Sequence, residues 1–306
     1  MLNYFNALKD KHMYSKLLKY VNEILSKAKN EKHSHDILGL LKNYVLLSYV
    51  RGSYIICNIF LKHYTGNFLY SAMFGNFVNR FLLEIYINLQ VVHTIKEVKN
   101  KDFKYINKYW LYEQYKGTTD RDVILECLSR MAFYELIKFK VANYREKDIT
   151  KCYVDEEITE YLSKDLNVIK FLEVVFGFKN KNEQKEIIGE FYKKRKKGWD
   201  GTSFADKVKF LKESEKYLKN SDICWTNNLY EKYCNQVHGN VIYTTDVQLI
   251  NKNKVHKYYR KESKRHLIVS YILLASILSF YDKFCNDGKN SDKIDKFLKY
   301  MKRNNR

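Results

Sequence analysis

Glu231, Asn235 and His238 stand four and three residues apart in the stretch NLYEKYCNQVHGNVI, residues 228–242, and on a helix they share one face. That spacing gathers a carboxylate, an amide and an imidazole into a polar stripe on a segment that otherwise reads as buried. Gly239 follows directly as a helix stop and leaves His238 near the carbonyl end, where a protonated imidazole is favoured. Such a group suits general acid–base work. The other reading of the same position is a satisfied core or surface histidine that does no chemistry.

A second charged set lies in FVNRFLLEIYINLQVV, where Arg80, Glu84 and Asn88 stand four apart among residues that are apolar on nearly every other side. A helix that apolar is buried, and a buried charge needs a partner. The two readings are an Arg–Glu pair that only tethers neighbouring helices and a charged couple held beside a reactive group. Lys193, Lys194, Arg195, Lys196 and Lys197 form a run of five cations. It reads as a solvated helix end or flexible arm and as a phosphate-binding patch. In residues 99–117, lysines alternate with Tyr105, Tyr109, Trp110, Tyr112 and Tyr115; this is the interleaving of a single-strand stacking surface or of an amphipathic connector.

The elements that must position these groups are helices. Apolar residues recur at helical spacing almost throughout, no run alternates like a strand, and the 306 residues contain no proline. The expected fold is all-α, an antiparallel helical bundle. Helices are expected over about 3–28, from a Ser34 or Asp36 cap to His63, over 68–97, from Thr118 or Thr119 to Tyr144, and from Asp155 to Phe176. Others are expected after a Ser203 cap and over about 256–285, with 241–254 irregular and a short basic tail after residue 292. Two apolar runs, near Tyr44–Leu61 and Leu267–Tyr281, read as buried core helices short of a bilayer span. Residues 1–64 are expected as an N-terminal helical extension to a helical domain over 65–306, with one continuous globule as the alternative.

Lysine plus arginine total 55 against 35 aspartate plus glutamate, a formal net charge of +20. That excess attracts polyanions, nucleic acid first; lysine-rich codon usage is the plain alternative. Six cysteines without a C-x-x-C pair read as reduced core residues of a cytoplasmic protein, with no signal peptide. His33, His35 and Asp36 resemble the start of a metal cluster, but no wider ligand set accompanies them and no metal or cofactor is expected. The chain lacks the phosphate-loop, dinucleotide, zinc-protease and serine-hydrolase signatures. A reaction here would use His, Arg, Glu, Asn and Tyr.

Three pieces in order resemble an uncharacterised bacterial branch of the HEPN superfamily. They are Arg80-x-x-x-Glu84, Trp199-Asp-Gly201-Thr-Ser203 opening a short helix, and Tyr233-Cys-Asn235-Gln-Val-His238-Gly239, spread over about residues 65–285. The resemblance implies a helical bundle, commonly dimeric, and a metal-independent endoribonuclease of phage defence or toxin–antitoxin systems. It implies RNA as substrate and a cognate antitoxin or phage-derived trigger as further partner; from the short apolar runs no membrane partner is expected. His238, Arg80, Glu84 and Asn235 would be catalytic, with Tyr233 and the Lys193–Lys197 run on the RNA. The usual HEPN signature has an arginine four to six residues before the histidine; here Lys232 stands six before His238. Arg80 from another helix fills that role, or Arg260 and His266 form an alternative catalytic pair.

Overall fold

The computed structural model describes residues 2–30, 37–64, 68–98, 118–148, 150–194, 198–215, 252–285 and 288–304. Among these residues every regular element is helical, so the chain is all-α. In order they are α1 (Leu2–Asn30), α2 (Ile37–Leu41), a π-helical segment (Lys42–Leu46) and α3 (Leu47–His63). Then come α4 (Phe68–Val98), α5 (Asp120–Arg145), α6 (Asp155–Ser163) and α7 (Leu166–Val175). The last are α8 (Lys181–Lys194), α9 (Phe204–Glu215), α10 (Lys252–Cys285) and α11 (Ser291–Asn304).

The chain divides into two units. The first holds residues 1–33, 46–90 and 220–306, so α1 and α3 belong with α10 and α11 rather than to a separate extension ending at residue 64. α3 packs on α1 and on α10, and α10 also contacts α1 and α11. Tyr14, Leu17 and Val21 of α1, Cys57 and Phe60 of α3, and Leu267, Tyr271 and Leu274 of α10 are buried between them. Burial pushes the Cys57 thiol up to about 12. α11 replaces the expected basic tail, because Ile294 and Phe297 recur at helical spacing and are buried. Its entry is clipped by Asp282, whose carboxylate accepts from the Asn290 backbone N–H at 3.0 Å and side-chain amide at 2.7 Å.

The second unit holds residues 34–45 and 91–219. Phe133, Ile137 and Val141 of α5, Ile158 and Leu162 of α6, Val168 and Leu172 of α7, and Ile188 and Tyr192 of α8 form its core. Thr119 caps α5, accepting from Asp122 N–H at 3.2 Å. The single helix expected over 155–176 is instead two. Asp165 turns its carboxylate onto the N–H groups of Asn167 and Val168 at 2.9 and 3.3 Å, which starts a new helix.

The two long apolar runs differ in burial. Both helical runs, Ile37–His63 of 27 residues and Tyr258–Cys285 of 28, exceed the expected spans; their most apolar 18-residue stretches are 39% and 72% buried respectively, the second as a core helix should be. Cys57 and Cys127 are buried and in no disulfide; Cys152, expected in the core, is exposed in the α5–α6 connection.

Candidate functional site

α4 and α10 meet in the first unit at Gly75. A Cβ there would stand 2.6 Å from the Cβ and 2.9 Å from the Cγ of His266, so only glycine lets the two helices come this close. His266 is 1% exposed. The side-chain amide of Asn79, one turn beyond Gly75, donates to His266 Nδ1 and to the His266 carbonyl, both at 3.2 Å. A donor on Nδ1 puts the proton of a neutral ring on Nε2, which lies 3.9 Å from Glu262 Oε2. This cluster joins two helices, with Asn79, Glu262 and His266 all buried.

Arg80 follows Asn79 and turns outward. Its Nε donates to Glu84 Oε1 at 2.6 Å, with the arginine side chain 19% exposed and the glutamate 45%. The pair spans one turn of α4, with Glu84 the more exposed of the two. The first half of α10 carries seven lysines and arginines against Glu262 alone. Arg260, Lys261 and Arg265 are exposed and Lys264 is half-buried. Asn79 touches His266; Arg80 follows Asn79 in sequence, and Lys264 and Arg265 precede His266.

The sequence-predicted residues fall as follows. Arg80 and Glu84 are brought together. Arg260 and His266 are not: at about 100° per residue they lie about 120° apart around α10, with Arg260 exposed and His266 buried. Lys193 is exposed on α8 and Lys194 ends that helix. His238, Asn235 and Tyr233, with Arg195, Lys196 and Lys197, lie outside the described residues, as do His33, His35, Asp36 and residues 99–117. Among the described residues no group of three or more His, Cys, Asp or Glu side chains is placed to hold a metal.

The Gly198–Ser203 turn lies in the second unit. Gly198 and Gly201 adopt φ of 105° and 73°, which glycine tolerates, and Gly201 N–H closes the turn on the Gly198 carbonyl at 3.2 Å. Trp199 and Asp200 point inward, 3% and 1% exposed. Lys207 of α9 reaches back so that its Nζ lies 3.1 Å from Asp200 Oδ1 and 5.2 Å from the Trp199 ring centre. Asp200 also accepts from Thr202 N–H at 3.3 Å and Thr202 Oγ1 at 2.7 Å. Ser203 starts α9 as expected, accepting from Asp206 N–H at 3.1 Å, while Asp206 Oδ2 accepts from Ser203 N–H at 3.2 Å. The recess beside Trp199, lined by Arg130, Glu190 and Phe191, measures about 30 Å³, room for about one water. The turn is a clamp between loop and helix.

Sequence reasoning missed Lys207, Gly75 and Asn79. The one signal was a glycine interrupting an apolar helical pattern, which usually has a packing reason. It also missed an open cleft of about 490 Å³ lined by Arg145, Asp148, Lys151 and Tyr153. There the charges answer one another: Lys151 bonds Glu157 at 3.2 Å, and Lys147 covers the Tyr144 and Tyr161 rings. No family model, curated protein or solved structure matches this chain.

Proposed function

We propose that the chain is a cytoplasmic, HEPN-like RNA-binding protein that cleaves RNA without a metal, as a toxin or abortive-infection effector in phage defence. The observation that carries this reading is the 2.6 Å Arg80–Glu84 pair, next in sequence to the Asn79 that touches His266 of α10. A guanidinium held by a carboxylate is pre-oriented toward phosphoryl oxygens, and the lysines and arginines of α10 supply attraction for the backbone. RNA is favoured over DNA because the chemistry uses the ribose 2′-hydroxyl.

In this scheme His238 takes the proton from the 2′-hydroxyl as O2′ attacks phosphorus, or delivers a proton to the departing 5′-oxygen. The P–O5′ bond breaks, leaving a 2′,3′-cyclic phosphate and a 5′-hydroxyl. Arg80 stabilises charge on the phosphoryl oxygens, Glu84 orients Arg80, and Asn235 positions the phosphate or the imidazole. Tyr233 and residues Lys193–Lys197 hold flanking RNA. The resemblance adds a homodimer and restraint by an antitoxin or release by a phage-derived trigger.

The test is incubation of wild type, His238→Ala and Arg80→Ala with total RNA in EDTA, with mapping of fragment ends. Cyclic-phosphate ends from wild type alone support the reading. Intact RNA with all three, alongside salt-sensitive binding, points to a non-catalytic module. One observation favours that second reading: His266, the histidine of the alternative pair, is buried at the crossing and cannot serve as a substitute base. Absence of binding and cleavage together leaves Arg80 and Glu84 as a structural pair beneath a basic surface.

A further inference from the structure

α3 and the first half of α4 form an antiparallel hairpin. Phe60 and Phe74 meet with ring centres 6.1 Å apart and planes tilted by 57°, and farther from the connection a Cβ on Gly52 would lie 3.5 Å from the Phe81 ring. Ile55 and Ile59 on α3, and Met73, Phe77 and Phe81 on α4, follow a spacing of four. In an antiparallel pair with these contacts the two stripes turn to the same side. All five are exposed, from 39% for Phe81 to 59% for Met73 and Phe77. Together they present on the order of 500 Å² of apolar surface, the size at which a patch marks a binding face.

The rest of the hairpin explains why it lies on a surface rather than crossing one. Cys57, Phe60 and Leu61 of α3 and Val78, Leu82 and Leu83 of α4 are buried in the first unit, so only one side is available. Charge selects the occupant. From Ile37 to Leu83 the sequence has no aspartate or glutamate. Arg51 and Lys62, both exposed, edge the α3 stripe, and the nearby acid Glu84 is engaged by Arg80. A second copy docked face to face would meet this cationic edge with its own. An anionic lipid surface meets it with opposite charge.

We propose that the α3–α4 hairpin docks on an anionic membrane surface. Ile55, Ile59, Met73, Phe77 and Phe81 enter the boundary between headgroups and acyl chains, and Arg51 and Lys62 remain at headgroup level. This docking is independent of the RNA reading and goes beyond it. If both hold, an RNA-binding protein is held at a lipid surface.

The test is co-sedimentation of the nuclease-treated full chain with phosphatidylserine–phosphatidylcholine vesicles and with phosphatidylcholine alone. Wild type should pellet with the anionic vesicles. Met73→Ser/Phe77→Ser and Arg51→Glu/Lys62→Glu should each bind at least about tenfold more weakly, with the helical content of wild type. Wild type that stays in the supernatant overturns the proposal, and so does a Met73→Ser/Phe77→Ser variant that pellets like wild type, since charge alone then suffices. A dimer in light scattering that the same double variant abolishes assigns the face to a second copy and also overturns it. RNA cleavage is assayed without lipid, so its failure and the failure of vesicle binding are separate results.

Discussion

The backbone of Gly75 and the imidazole of His266 occupy adjoining space: a Cβ on Gly75 would stand 2.6 Å from the Cβ of His266. The obstructing atom is next to the α10 backbone and cannot swing aside. Gly75→Ala gains helix propensity of about 1 kcal/mol but overpacks the crossing, and a net loss of about 2 kcal/mol follows. Urea denaturation measures it. Adding His266→Ala should cost somewhat less in the Gly75→Ala background than in wild type, because the ring contacts at 2.9 and 3.1 Å go while the closest one, to the Cβ, stays. A Gly75→Ala variant as stable as wild type would contradict this packing.

What the sequence made legible is local, and what it hid is distant. Arg80 and Glu84 are one turn apart, so spacing alone predicts their contact. Asn79 and His266 are separated by 187 residues, and no periodicity announces that meeting. Ser203 was readable as a cap because its partner Asp206 lies three residues on. Lys207, in contrast, looked like one more surface lysine until the turn of two positive-φ glycines carried Asp200 inward to it. The helix over Ser291–Asn304 was masked by its lysines, although Ile294 and Phe297 keep the helical period. For His238 and Asn235 the spacing remains the whole of the argument, since they lie outside the described residues.

Lys207 and Asp200 form an ion pair with side chains 4% and 0% exposed. Removing one member of such a pair leaves a buried charge uncompensated, at a cost of about 3 kcal/mol or more. Lys207→Ala should therefore be strongly destabilised. Asp200→Asn/Lys207→Met, which keeps volume and an acceptor for Thr202 while removing both charges, should be less so. Thermal unfolding of the two variants decides the matter; equal losses would mean that volume, not charge, governs the clamp.

Cys57 and Cys152 should react differently. With its thiol pushed up to about 12 by burial, Cys57 is about one part in 10⁴ thiolate at pH 8 and is sealed from reagent besides. Cys152 is exposed. Iodoacetamide applied to the native chain, followed by peptide mass spectrometry, should label Cys152 and spare Cys57 until denaturant is added. Labelling of both at one rate in native buffer would show that the α1–α3–α10 core opens readily.

Asp165 links acid sensitivity to the α6–α7 junction. Burial pushes its carboxyl up, but the Lys140 ammonium at 2.7 Å and the N–H groups of Val168 and Asn167 outweigh it and hold the group below its ordinary value. A carboxyl depressed in the folded state contributes stability above its unfolded pKa of about 3.9, and loses it as pH falls through the folded value. Asp165→Asn retains a capping oxygen but removes the charge. It should be about 1 kcal/mol less stable than wild type at neutral pH, with the gap narrowing once the pH drops below about 4 as the native carboxyl takes its proton. Urea midpoints across that range test the sign: a gap that stays constant, or widens in acid, would remove charge from the account and leave only the cap.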